Sequence, residues 1–200
     1  DNVRSMRRAL RDAGIAHAML TDIVEVSDPR WQGAVEGVLR SYAFVVLLEN
    51  ARDAASAYRL GEKERYGHFI VPERVAAPGV QDQSLLSVVR FTAPAPSWLI
   101  DQLARITRVD SVDAATHLAS NEEWITPEAY HRERRGGRSL FVEPARYRFG
   151  QAGRAQRLAA LQQTLPKLEA EEDQLTLKIN KLAGDIGALK ARIAGVDAAK

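Results

Sequence analysis

The 200-residue chain contains no cysteine. That excludes a disulfide framework and every cysteine-based zinc site, and it fits a cytoplasmic location. Long apolar runs are also missing. The longest, Ala43-Phe44-Val45-Val46-Leu47-Leu48, falls far short of the roughly 18–20 residues that a membrane span needs, so no membrane partner is expected. Lysine is scarce, six against 22 arginines, and the guanidinium is the group that forks onto phosphates and carboxylates. Neither sign of charge dominates overall, the formal net charge being +2. The opening Asp1-Asn2-Val3-Arg4 has neither an initiating Met nor a charged-then-apolar leader, and reads as a segment of a longer polypeptide.

Catalytic vocabulary is equally thin. There is no Gly-x-x-x-x-Gly-Lys-Ser/Thr phosphate loop, no Gly-x-Ser-x-Gly elbow and no thiol nucleophile. His17, His68, His117 and His131 never stand three or four residues from one another, so no metal site and no cofactor are expected. The acidic pairs Glu122-Glu123 and Glu171-Glu172 read as solvated faces and helix polarity. An enzyme is therefore the least favoured class.

What the chain does have is a C-terminal seam. Leu158, Leu161, Leu165, Leu168, Leu175, Ile179, Leu182, Ile186, Leu189, Ile193 and Val196 follow alternating steps of three and four, with Glu172 at the omitted position. A helix holding that repeat exposes an apolar stripe over roughly 60 Å and needs a partner helix to bury it, which predicts a coiled coil over 151–200. Pro166 predicts a kink, or a restart capped by Thr164. Val3, Met6 and Leu10 repeat the three-four step over 1–13 before Gly14, reading as the stub of a second coiled-coil helix. Twelve or so helical residues cannot cover that stripe. Its remaining partner is either chain upstream of Asp1 or a second copy.

Residues 14–150 read as a mixed α/β globule. Strands are expected at 18–26, 43–49 and 68–73, with an extended segment at 84–93 and loop at 74–84. Helices are expected at 30–42, with Trp31, Val35, Val38 and Leu39 on one face, at 50–60 capped by Asn50, at 97–106, and at 110–120 capped by Asp110 or Ser111. Short strands within 123–133 and 139–150 are expected to join through a Gly136-Gly137 turn. "GVLRSYAFVVLLENARDAASAYRL" and "QLARITRVDSVDAATHLA" share an order of helix, short apolar segment and capped helix, which suggests two similar subdomains.

Charge concentrates in one place. Between His131 and Arg157 stand Arg132, Arg134, Arg135, Arg138, Arg146, Arg148, Arg154 and Arg157 against Glu133 and Glu143, a local charge of +6 that exceeds the whole chain's. Such a field recruits polyanions. Tyr147 and Phe149 alternate with Arg146 and Arg148, so an equally simple reading sends the aromatics to a core and leaves the arginines solvated. The pattern leaves both open.

Residues 20–60, "LTDIVEVSDPRWQGAVEGVLRSYAFVVLLENARDAASAYRL", and 109–141, "VDSVDAATHLASNEEWITPEAYHRERRGGRSLF", together resemble the hinge of an SMC-type ATPase. The Asp28-Pro29-x-Trp31-Gln32 wording is most similar to the MukB/MksB-related branch, particularly the SMC-like subunit of Wadjet anti-plasmid systems. The resemblance implies a non-enzymatic globule that homodimerises at the end of a coiled-coil arm. It also implies DNA contact, further subunits of an SMC-like complex, and ATPase heads built elsewhere in the full protein. Two departures stand out: Thr126-Pro127-Glu128-Ala129 replaces a Thr-x-x-Gly pattern, and the glycine-rich dimer edge is reduced to Gly136-Gly137. A coiled-coil adaptor whose globule binds protein without touching DNA is the competing class.

Overall fold

The computed structural model describes residues 2–79 and 82–197, with side chains described through residue 192. The chain divides into two units, Asp1–Arg157 and Leu158–Lys200. Unit one begins with α1 (Asn2–Asp12), β1 (His17–Met19), a single helical turn α2 (Leu20–Ile23), β2 (Val24–Val26), α3 (Gln32–Leu39), β3 (Val46–Leu48), α4 (Ala54–Lys63) and β4 (Ile70–Val71). The strand expected at 18–26 is thus two strands split by α2. Asp22 accounts for the break: its carboxylate accepts the Met19 amide at 3.0 Å and closes a turn that buries Leu20 and Ile23. Asn50 makes no side-chain cap, and its helix starts as a 3-10 turn over Ala51–Asp53 before becoming α4.

The second part of unit one holds β5 (Val89–Phe91), α5 (Ser97–Arg105), β6 (Ile106–Arg108), β7 (Glu123–Ile125), β8 (Tyr130–Glu133) and β9 (Gly136–Ser139). The segment expected to be extended from 84 opens as a 3-10 turn over Leu85–Val88. The helix expected at 110–120 shrinks to a 3-10 turn over Asp113–His117. Short polar side chains satisfy the backbone locally there: Ser111 Oγ accepts the Ala114 amide at 3.1 Å, and the Thr116 hydroxyl donates to Asp113 O at 2.9 Å. Of residues 139–150, expected as a strand, Ser139 ends β9 and Gly150 begins the final helix, while 140–149 are irregular apart from a 3-10 turn over Pro144–Arg146.

The suggested duplication has a topological basis. β1 pairs antiparallel with β3, and β3 runs parallel to β4 after α4. In the second part Ser84 bridges antiparallel to Thr107 of β6, and β6 runs parallel to β7 after the 113–117 turn. Each part therefore runs strand, helical turn, strand, helix, strand, helical segment, parallel strand. The two meet where β2 pairs antiparallel with β5, Val24 opposite Phe91 and Val26 opposite Val89, so that Glu25 and Arg90 sit at the centre of an approximate two-fold. One apolar core spans both parts, from Leu20 and Trp31 through Leu47 and Leu85 to Leu103, Ile125 and Phe149. The first part gains α1, whose Met6 and Leu10 are fully buried against Met19, Val46, Leu48 and Ala57. Those two stub positions belong to the core of unit one, which corrects their reading as a coiled-coil face.

A polar clamp closes unit one. Gln32 and Glu36 lie one turn apart on α3 and both are buried. Glu36 Oε1 accepts the amides of Arg148 at 2.7 Å and Phe149 at 2.8 Å, and the Gln32 side chain at 3.1 Å. Gln32 Nε2 also donates to Phe149 O at 2.9 Å. Burial pushes the Glu36 carboxyl upward, while those amides, the Gln32 side chain and the Arg148 charge pull it back. The final helix, α6 (Gly150–Asp197), starts directly after this clamp. Its Gly153 is required by space, because a Cβ there would stand 2.4 Å from Gln32 Nε2.

In unit two α6 passes through Pro166 as one helix, without the restart expected at Thr164. Thr164 donates its hydroxyl to Ala160 O at 2.9 Å instead of capping. Leu158, Leu161, Leu165, Leu168, Leu175, Ile179, Leu182, Ile186 and Leu189 are 45–64% exposed, so the seam is present and bare. Ile193 and Val196 lie outside the residues whose side chains are described.

The clamp makes a sharp prediction. Glu36→Ala strands two buried amides and is expected to lower unfolding free energy by about 3 kcal/mol, whereas Glu36→Gln keeps an acceptor and loses about 1 kcal/mol. Urea midpoints of the two variants check the ordering; a simple loss of charge would shift both equally.

Candidate nucleic-acid interface and hinge surface

The eight arginines do not form one patch along the chain; they fall on two structural features. Arg132, Arg134, Arg135 and Arg138 belong to the β8–β9 hairpin, while Arg146, Arg148, Arg154 and Arg157 flank the start of α6. In the hairpin, Glu133 faces Gly136, so the two turn residues are Arg134 and Arg135. Gly136 and Gly137 instead open β9, one step beyond the turn expected for them. Gly136 still serves the turn: it takes φ +128°, a conformation that glycine adopts without strain. Strand alternation puts Arg132 on the opposite face from His131 and Glu133.

Few of these arginines are wholly uncommitted. Arg132 donates to Glu122 O at 3.2 Å, and Arg135 and Arg138 both lie 3.6 Å from Glu133 Oε1. Arg146 stands 3.6 Å from Glu143, and Arg154 reaches Glu25 and Thr21 O, each at 3.4 Å. The Arg135, Arg138, Arg146 and Arg154 side chains are each more than half exposed, and pairs this long and this wet contribute little to stability. They partly offset the basic field without locking the side chains away from a polyanion.

The alternation of aromatics and arginines survives without a strand. Tyr147 and Phe149 are buried, and Phe149 is in the main core. Arg148 is half-buried with its guanidinium 4.4 Å above the Phe44 ring. Burial and the charge of Arg157 lower its proton affinity, and Glu36 raises it. Arg148 and Arg146 line a cavity of about 370 Å³ together with Arg40, His68 and Phe44. Arg40 was not among the sequence candidates. Its signal was only its place at the end of α3, and no local pattern ties it to residues more than a hundred positions later.

β9 is the last strand of the sheet β6-β7-β8-β9, and all four of its residues are exposed. Among the described residues no strand pairs with its outer edge. The Thr126–Ala129 corner leads into this hairpin: Ala129 takes φ +63°, and the Thr126 hydroxyl oxygen accepts the Tyr130 amide at 3.3 Å. Alanine therefore occupies the left-handed conformation for which the resembled pattern supplies glycine. No described helix is long and apolar enough to cross a membrane.

No protein-family model and no curated protein matches the chain. Solved structures do. The chain is similar to the Pyrococcus furiosus Smc hinge domain with an extended coiled coil at 18% identity, over 96% of this chain and 74% of that one, with a TM-score of 0.54. It is also similar to the Geobacillus stearothermophilus SMC hinge domain, crystallised as an asymmetric dimer, at 16% identity over 91% and 81% of the respective chains, with a TM-score of 0.52. At these identities the likeness shows the fold alone: a mixed α/β globule followed by a long helix.

One titration follows from the hairpin. Burial lowers the proton affinity of the His131 imidazole, and Arg138 acts the same way, while Glu123 and Glu133 oppose them. The unfolded chain then takes up a proton near pH 6.5 that the folded chain takes up only at lower pH. The stability that His131 contributes is complete above that range and declines as pH falls through it. His68, held low by burial and by Arg148, adds a decline of the same sign. His131→Gln is therefore expected to flatten, without abolishing, the fall in urea midpoint between pH 7.5 and 5.5.

Proposed function

We propose that the chain is the dimerisation hinge of an SMC-like chromosome-organising or plasmid-defence ATPase, joining two subunits and contacting DNA. The observation that carries the reading is the hinge fold extending through the long helix over 96% of the chain. A bare apolar seam on that helix suits an arm whose partner helix lies elsewhere. The joint itself is assigned to unit one, with the open β9 edge and Gly136-Gly137 as the contact with a second copy. In this reading the fragment is non-enzymatic and cytoplasmic, and ATP is handled by heads outside it. The Wadjet-like assignment rests on Asp28-Pro29-x-Trp31-Gln32. Asp28 accepts the Arg30 amide at 3.0 Å, Trp31 is buried in the core, and Gln32 holds Phe149, so the motif has structural work within the hinge.

DNA contact is assigned to the exposed hairpin arginines and to the Arg40, Arg146 and Arg148 cavity, where the guanidinium groups outnumber the carboxylates of Glu133 and Glu36 respectively. The second reading, a coiled-coil adaptor, is favoured by the same bare seam, which would dimerise the chain on its own.

Light scattering separates the two. Residues 1–157, retaining the buried Met6 and Leu10, are expected to be dimeric; a monomer there, with dimers only for the complete chain, would establish the adaptor. DNA binding is measured by salt titration. Changing Arg132, Arg134, Arg135 and Arg138 to Glu is expected to weaken binding at least tenfold and to flatten the log–log salt slope by about 3–4, near −0.9 per phosphate contact. Unchanged affinity would remove the hairpin from the interface, and an Arg40→Glu, Arg146→Glu variant tests the cavity separately.

A further inference from the structure

Three side chains near the hairpin have no part in the hinge reading. Glu123 lies on β7, and His131 and Glu133 lie on β8. Ile125 pairs with His131 and Trp124 with Arg132, so continuing the register brings Glu123 beside Glu133. The two-residue step from His131 to Glu133 places both on one face of the strand. One ligand atom from each of the three lies within 4.8 Å of the others.

His131 is only 5% exposed, yet neither ring nitrogen has a hydrogen-bond partner in the structure. Its Nε2 stands 3.1 Å from Glu123 Oε1, an ion-pair contact when the ring is protonated but not an aligned hydrogen bond. Buried polar atoms almost always have a partner, and an imidazole with both nitrogens unsatisfied beside two carboxylates asks for a cation that accepts nitrogen. Magnesium and calcium prefer oxygen alone; a mixed set of one imidazole and two carboxylates suits zinc and its first-row neighbours.

We propose that Glu123, His131 and Glu133 form a binding site for a divalent transition-metal ion of the zinc class, each residue supplying one ligand atom. Ligand atoms around a tetrahedral zinc stand roughly 3.4 Å apart, which small rotations of the two carboxylates reach from the present spacing. The two carboxylates neutralise the ion's charge, and a fourth position is left for water from the adjoining cavity of about 470 Å³, which Gln102 and Tyr42 also line. Arg138 is the competitor. It faces His131 across β8 and β9 and holds its Nε 3.6 Å from Glu133 Oε1, so a cation at the site displaces it.

The site is tested on the complete, tag-free chain with Zn²⁺ by calorimetry and with Co²⁺ by visible absorption. One equivalent is expected to bind, with a raised melting temperature and cobalt bands of a mixed nitrogen and oxygen environment. His131→Gln and Glu133→Gln are each expected to weaken binding at least tenfold. Arg138→Ala is expected to strengthen it several-fold, a gain that a damaged fold cannot produce. Far-UV circular dichroism of the metal-free variants checks folding, and Glu133→Gln with Arg138→Ala carries the test if His131→Gln does not fold. Absence of saturable binding at millimolar metal overturns the proposal. So does affinity unchanged in Glu133→Gln, which would assign the ion to His17, His68 or His117, or affinity not increased in Arg138→Ala.

Discussion

A carboxylate deep in α3 determines where the globule ends and the long helix begins. Glu36 is buried yet accepts two consecutive backbone amides, those of Arg148 and Phe149, together with the neighbouring Gln32 side chain. Those amides immediately precede α6, where the chain would otherwise be irregular and its polar groups unsatisfied. With them fixed, Phe149 drops into the main core and Gly150 turns the chain at φ +70°. The Gln151 amide then finds Glu25 at 2.8 Å, and Gly153 packs directly on Gln32. A buried charge is usually a liability; this one is supported by donors that cannot move without unravelling the helix start.

The arginines depend on that anchoring. Because Tyr147 and Phe149 are held inward, Arg146 and Arg148 line a cavity with Arg40, the residue that follows α3. The clamp carboxylate of α3 and the guanidinium just after that helix therefore line one cavity. The hairpin arginines obey a separate constraint, the β8–β9 register, which places Arg134 and Arg135 at the tip and shares Glu133 between Arg135 and Arg138.

The long helix α6 was legible because a heptad is a local pattern, and α5 was legible because its apolar spacing and preceding proline agree. The duplication was also visible, though only the pairing of β2 with β5 shows what the repeat is for. What could not be read depended on short polar contacts or on register. Asp22 splits a stretch of good strand composition, and Ser111 and Thr116 erode a stretch of good helix composition. The hairpin turn lies two residues before the glycines that advertised it. Glu123, His131 and Glu133 leave no trace at helical spacing, because a strand brings i and i+2 together and its neighbour completes the set. Gln32 and Glu36, two polar residues four apart in an otherwise apolar helix, were the overlooked signal for the clamp.

The same clamp sets an order of events during synthesis. Gln32 and Glu36 leave the ribosome more than a hundred residues before Arg148, Phe149 and Gly153 do. Until then the Glu36 carboxylate and the Gln32 amide have only each other and water as partners, and the core lacks Phe149. The amino-terminal part cannot reach its final packing while it is being made alone. Closure of the whole globule waits on a contact of very long sequence separation, the kind that slows folding most.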